Sequence, residues 1–287
     1  MDKNLFIKTR RIYIKQDINL GDSIQQDMHY IKNVIRLKNQ EKIRIFNEKQ
    51  EFLCILQDNK LIPIQLIRTN EVRTNVKISI AISILKQNAM HDAISAIAQF
   101  DIFKIYPLIT ERTQVREFNY NKYNSIIQSS IEQSEKMNLI EISNVIKLTD
   151  LLKIDNANII CCDEAFYYKD LENCEFNNMH INNFNGMKNS NTNFDYINNN
   201  ANFNDISNNI NSNINLNSIN SNNIYAKINQ LDKAKEIIII VGPEGGFTNN
   251  EHELIAKIFP TYLTFSTILK SEIAAIASIS IVSAILR

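Results

Sequence analysis

The segment Val241–Glu251, VGPEGGFTNNE, holds three of the five glycines in the chain: Gly242, Gly245 and Gly246. Glycine admits backbone conformations and close approaches that a side chain forbids, at an entropic cost. Its concentration here marks a loop that closely meets a ligand or other backbone. The preceding run, EIIIIV, is continuously apolar, as a strand covered on both faces requires. Thr248 and Glu251 that follow have the S/T-x-x-E spacing of a capping box, which opens a helix. Strand, glycine loop and helix N-terminus together form the arrangement that binds ligands at the carboxyl edge of open α/β sheets. The spacing then narrows the chemistry. No Lys-Ser/Thr follows the glycines as a P-loop needs, and the G-x-G-x-x-G spacing of a dinucleotide site is absent. A tight turn packed against its neighbours is the alternative reading of the glycine pair.

The elements that would carry this loop follow from periodicity. Residues 1–72 contain short β-branched runs, RRIYI, KIRIFNE, EFLCILQ and LIPIQLIR, separated by polar turns and one helical stretch, DMHYIKNVIRLK. They predict a small β-barrel-like domain. From about Val76 strands alternate with helices: VKISIAISIL, NAMHDAISAIAQF, IFKIYPLI, NYNKYNSIIQSSIEQSEKM, NANIICCDE, EIIIIVG, TNNEHELIAKIF, TYLTF and SEIAAIASISIVSAIL. This alternation predicts an α/β domain over 73–287 with a parallel sheet covered by helices on both faces. Asn177–Asn223 is roughly half asparagine. Such a tract cannot bury enough apolar surface to offset its ordering entropy, so it is expected to be a disordered insertion within that domain.

Composition bounds the rest. The chain has 287 residues, is 44% hydrophobic and 22% charged, and has zero formal net charge. No global field therefore selects a nucleic acid or a membrane. Residues 1–50 are mildly basic, with eleven Lys/Arg against six Asp/Glu. Cys54, Cys161, Cys162 and Cys174 form no CxxC pair and have no histidine at metal-ligand spacing, so no metal is expected. The charged, strand-like N-terminus does not resemble a signal peptide. The longest apolar run, Ile273–Leu286, is shorter than a bilayer span. We expect a soluble cytoplasmic protein.

VGPEGGFTNNE resembles the signature loop of ribosomal RNA small subunit methyltransferase E, a family of the SPOUT superfamily that methylates N3 of a uridine in 16S rRNA. The likeness extends along the chain outside the asparagine-rich tract. RRIYI resembles the family's opening strand, and MHYIKNVIRLK its histidine-containing segment, with His29 in place. KIYPLITERT matches through Pro107, Glu111 and Arg112, SIEQSEK through Gln133 and Ser134, and ILKSEIAAIAS through Ile268, Leu269, Glu272 and the alanines. The resemblance implies a trefoil-knotted methyltransferase domain, an N-terminal PUA-like barrel that grips RNA, and a homodimer. It also implies S-adenosylmethionine held among three loops, by Cys162, Gly242, Glu244, Gly245, Gly246, Leu263, Phe265, Ile268 and Leu269.

Methyl transfer to uridine N3 needs alignment of the nucleophile with the methyl group and removal of the N3 proton. On the resemblance, Glu272 is the candidate for positioning or proton transfer, and Lys270 for stabilising negative charge on the base or binding phosphate. A carboxylate in the first turn of the last helix also suits the helix dipole, which is a structural reading of Glu272. Arg10, Arg11, Arg36 and Arg112 are candidates for rRNA phosphates. The chain departs from the family where a glycine and an arginine of the third loop become Phe265 and Thr267. A second arginine becomes Lys270 and a threonine becomes Ile273. Ala96, Gln99 and Asp101 replace the family's residues in the first helix of the domain. A competing expectation is therefore an RNA-binding or ribosome-assembly factor that keeps the fold with weakened catalysis. A nucleotide-binding enzyme is a third, against which the missing lysine argues.

Overall fold

The computed structural model describes residues 9–25, 28–70, 76–163, 228, 230–257, 260–261 and 268–286. The asparagine-rich tract lies outside them, as do Leu263 and Phe265. Two sheets organise the described chain. The larger contains β5 (Ile78–Ser83), β6 (Lys104–Ile109), β7 (Glu141–Ile142), β8 (Ile146–Lys147), β9 (Ala157–Cys162), β10 (Glu236–Val241) and β11 (Pro260–Thr261). Its order is β11-β9-β10-β5-β6-β7, with β8 also on β6. Every pair is parallel.

β10 shows why. Ile237, Ile239 and Val241 face one core, with α1 (Gln87–Ile97), α2 (Tyr120–Gln133) and α5 (Ser271–Leu286). Ile238 and Ile240 face another, shared with α3 (Leu148–Leu151) and with Phe247 and Ile255, the latter on α4 (Asn249–Ala256). Successive side chains of a strand point to opposite faces, so a strand covered twice is apolar at every position. α5 lies against α1. Ser278 and Ser280 return their hydroxyls to the carbonyls of Ala274 and Ile276, which pairs these two oxygens inside an apolar helix. No described helix is long and apolar enough to cross a membrane. Cys54 and Cys161 are buried, and burial pushes the Cys54 thiol up to about 12, which leaves it unreactive.

The N-terminal sheet has the order β1-β2-β3-β4, with β1 (Arg11–Tyr13), β2 (Lys42–Phe46), β3 (Gln50–Gln57) and β4 (Lys60–Thr69). The segment after β1 crosses to the far edge. Ile14 bonds to Phe46 beside β2, whereas Gly21 and Ile24 bond to Pro63 and Leu61 on β4. One stretch of chain thus joins both edges, which gives the unit its barrel-like closure around Ile12, Ile14, Ile18, Ile43, Ile45 and Leu61. The predicted helical stretch forms one π-helical turn, Tyr30–Val34.

Where this unit meets α2, three arginines converge on two glutamates. Glu51 is fully buried and pairs with Arg11 at 2.9 Å, Arg44 at 3.3 Å and Arg68 at 2.6 Å. Glu135, just beyond α2, pairs with Arg44 at 2.5 Å and Arg68 at 3.4 Å. Arg11 also donates to the Ile131 carbonyl and stacks on Phe46, 3.5 Å from the ring centroid. These contacts correct the expectation for Arg11. Its guanidinium is 1% exposed and faces inward, so it joins the sheet to α2 and is withdrawn from rRNA phosphates. Arg10 and Arg36 are exposed in the same unit.

Candidate active site

The carboxyl ends of β5 and β10, residue Asp163 after β9, and the segment Ile268–Ala274 entering α5 enclose a cleft of about 960 Å3. This is the edge at which a parallel sheet presents ligand-binding loops. The volume lies within the ~300–1,000 Å3 of small-molecule sites. The described lining combines apolar side chains, such as Phe247, Ile268 and Leu269, with the carboxylates of Asp92, Asp163, Glu244 and Glu272 and the ammonium groups of Lys86 and Lys270. Four carboxylates against two lysines suit a ligand that carries positive charge. Among the described residues no group of three or more side chains could hold a metal ion.

The glycine loop is shaped by three separate constraints. Gly246 donates to the Pro243 carbonyl at 2.9 Å and sits at φ +67°, where a side chain is strained. A Cβ on Gly242 would lie 2.8 Å from the buried Phe247 ring. A Cβ on Gly245 would meet only the Arg112 side chain, at 3.7 Å, an ordinary contact. Gly242 and Gly246 line the cleft, whereas Gly245 lies in a smaller recess beside Arg112. Alanine substitution should separate them. Gly242→Ala is expected to cost about 1–3 kcal/mol by overpacking and Gly246→Ala about 1–2 kcal/mol by left-handed strain, with Gly245→Ala near neutral. Chemical denaturation of the three variants measures this, and equal costs would refute the distinction.

The turn is held from outside. Glu251 is buried, and its Oε2 accepts from the Thr248 amide at 2.9 Å, which completes the capping box of α4. Its Oε1 accepts from the Glu111 amide at 2.8 Å, so the same carboxylate ties the segment after β6 to the helix. Arg112 donates to the Gly245 carbonyl at 2.8 Å. At the cleft mouth, Lys86 Nζ lies 3.4 Å from Glu244 Oε2, both exposed.

A family model described as an RNA methyltransferase domain matches residues 72–183 and 184–283, breaking within the asparagine-rich tract. Over 284 residues the chain is 30% identical to ribosomal RNA small subunit methyltransferase E of Rickettsia conorii, covering 96% of this chain and 95% of that one. The chain belongs to the ribosomal RNA small subunit methyltransferase E family. A member from Neisseria gonorrhoeae, solved bound to S-adenosylmethionine, shares the fold with a TM-score of 0.64 at 16% identity, covering 96% of this chain and 97% of that one. A Legionella pneumophila protein solved with its bound cofactor SAM has a TM-score of 0.65 at 19% identity, covering 97% and 98%. These likenesses show that the chain shares the fold of those two structures over nearly its whole length.

Against this family, the structure gathers most of the expected site. Gly242, Glu244, Gly246, Ile268, Leu269, Lys270 and Glu272 line one cleft, although the 21 residues 247–267 lie between the glycine loop and the third segment. Gly245 is displaced into the adjoining recess, and Cys162 ends β9 at the same sheet edge. Leu263 and Phe265 fall outside the described residues. Arg112 is exposed, but it braces the glycine loop. Sequence reasoning missed Lys86, Asp92 and Asp163, which also line the cleft. Lys86 caps α1 and Asp92 lies within it, and their one legible signal was their position after a buried strand.

Proposed function

We propose that the protein binds S-adenosylmethionine in this cleft and directs its methyl group to N3 of a uridine in small-subunit rRNA. The observation that carries the reading is the cleft itself: a carboxylate-rich, partly apolar site at the carboxyl edge of the parallel sheet, closed by Lys270 and Glu272. Its donor set fits the cofactor, whose sulfonium and amino groups favour carboxylates and whose purine favours apolar walls. When bound, the cofactor supplies an electrophilic methyl group. Gly242, Glu244, Gly246, Ile268 and Leu269 are the residues we assign to holding it.

The chain's own residues would do the rest. Glu272 accepts or orients the N3 proton of the base, and Lys270 offsets the negative charge that its departure leaves. Lys270 lacks the planar fork of the arginine it replaces, so it acts as a point charge. Arg10 and Arg36 on the exposed N-terminal unit, with Arg112 beside the cleft, meet rRNA phosphates. The reading divides the chain into an RNA-gripping domain over 1–72 and a catalytic domain over 73–287, working in the cytoplasm. It includes a homodimer through α5, because that apolar helix leaves Ile273 46% exposed at the cleft end, with Ile268 beside it 77% exposed.

The test incubates the purified protein with small ribosomal subunits lacking the modification and with methyl-labelled cofactor, followed by mass spectrometry of the nucleosides. N3-methyluridine is the expected product, formed by a species that sediments as a dimer. Binding of cofactor and RNA without product would instead make the chain an RNA-binding factor. A monomer with full activity would remove the dimer from the reading.

A further inference from the structure

Asp163 and His252 meet at the back of the cleft wall. Asp163 directly follows β9 and lines the cleft, whereas His252 lies on α4, one residue past the capping Glu251. His252 Nδ1 is 3.4 Å from Asp163 Oδ2, and the two side chains are only 12% and 15% exposed. Ionisable groups so far withdrawn from water are costly unless they are paired, and by distance these two form an ion pair. The imidazole also packs edge-on to Phe247, with ring centroids 5.9 Å apart at 75°. Phe247 in turn fills the space that the missing Cβ of Gly242 leaves open. Asp163, His252, Phe247 and Gly242 therefore form a contiguous path from the end of β9 to the end of β10. Asp163, Phe247 and Gly242 face the cleft, and His252 is not part of its lining.

We propose that His252 is a positioning residue that sets the Asp163 carboxylate and the Phe247 ring against the bound cofactor. This rests on the assignment of the cleft to S-adenosylmethionine. At 3.4 Å the Nδ1–Oδ2 contact is an ion-pair approach outside hydrogen-bond geometry, and poorly aligned contacts at a reaction site tighten when a ligand fills it. His252 belongs to neither the transfer chemistry nor the cofactor's contact surface. Its loss should therefore weaken cofactor binding and leave the methyl-transfer step nearly untouched.

The experiment compares the full-length wild type with His252→Phe, which keeps a ring edge on Phe247 but has no Nδ1, and with His252→Asn, whose amide returns a donor near the Nδ1 position. His252→Phe is expected to raise the Kd and KM for S-adenosylmethionine about tenfold, the value of one hydrogen bond to a charged group. Its kcat at saturating cofactor should stay near that of the wild type, and His252→Asn should recover most of the affinity. In the wild type, the imidazole nitrogen NMR signals of His252 should shift when the cofactor is added. Wild-type affinity in His252→Phe overturns the proposal, as does a fall in kcat without a rise in KM. Should His252→Phe not fold, absence of any His252 shift on cofactor binding overturns it equally. A wild type that does not bind the cofactor overturns the assignment of the cleft and this proposal with it. Binding shared equally by wild type and His252→Phe overturns this proposal alone.

Discussion

Glu272→Gln is expected to slow methyl transfer by about two to four orders of magnitude, the usual contribution of a placed general acid or base, with cofactor affinity close to that of the wild type. The amide keeps the size of the side chain but loses its capacity to take a proton. Glu272 is half-buried, stands in the first turn of α5 and shares the cleft lining with Lys270. The Lys270 carbonyl accepts the amides of Ile273 and Ala274 at 2.9 and 2.8 Å. The helix therefore fixes the backbone from which both side chains project, and orientation is where an aligned displacement gains most. Single-turnover assays at saturating cofactor, with and without the variant, measure the chemical step. An unchanged rate would reduce Glu272 to a carboxylate placed for the helix dipole. Lys270→Gln tests the companion role. Its rate should fall, and Lys270→Arg should retain activity, since the arginine restores a charge of the family type.

The second large effect concerns stability. Glu51→Gln removes the only fully buried carboxylate of the arginine cluster and leaves the buried Arg11 with only Glu135, 4.0 Å away, to offset its charge. Removing one partner of a buried ion pair costs about 3–5 kcal/mol, a large share of the ~5–15 kcal/mol that holds a domain together. Urea unfolding of the variant measures it, and a cost below about 1 kcal/mol would show that the cluster behaves like a surface pair. The cluster also sets a pH dependence. Burial raises the Glu135 carboxyl, but its hydrogen bond and attraction to Arg44, with the charges of Arg11 and Arg68, outweigh this and hold it below its ordinary 4.5. A carboxyl depressed in the folded state stabilises the fold above the unfolded value and loses that contribution as pH falls through the folded one. Stability should therefore drop on acidification below about pH 4.5, and Glu135→Gln should flatten that part of the profile.

The strands and helices that position the site were legible because each has a strong local pattern. EIIIIV read as a strand covered on both faces, and Thr248 with Glu251 announced the start of α4. The structure places both there. The short strands β7 and β8 and the four-residue α3 were missed, since two to four residues carry no period. The arginines were the hardest to read. A basic N-terminal region looks alike whether its guanidinium groups face solvent or a buried carboxylate. Arg10 and Arg11 are adjacent, yet Arg10, just before β1, is exposed, whereas Arg11, its first residue, is buried.

By itself the sequence determined the alternation of the α/β domain, the glycine loop between strand and helix, and the family to which that loop points. These are local features, written in neighbouring residues by periodicity, capping and turn chemistry. Only the tertiary structure decided which distant side chains share the cleft, because parallel strands bring together loops separated by long stretches of chain. It placed Lys86, Asp92 and Asp163 beside Gly242 and Glu272. It also assigned the glycines different duties: Gly242 makes room for Phe247, Gly246 adopts the left-handed turn, and Gly245 offers its carbonyl to Arg112. Those duties depend on what packs against each residue, and packing is a property of the folded chain.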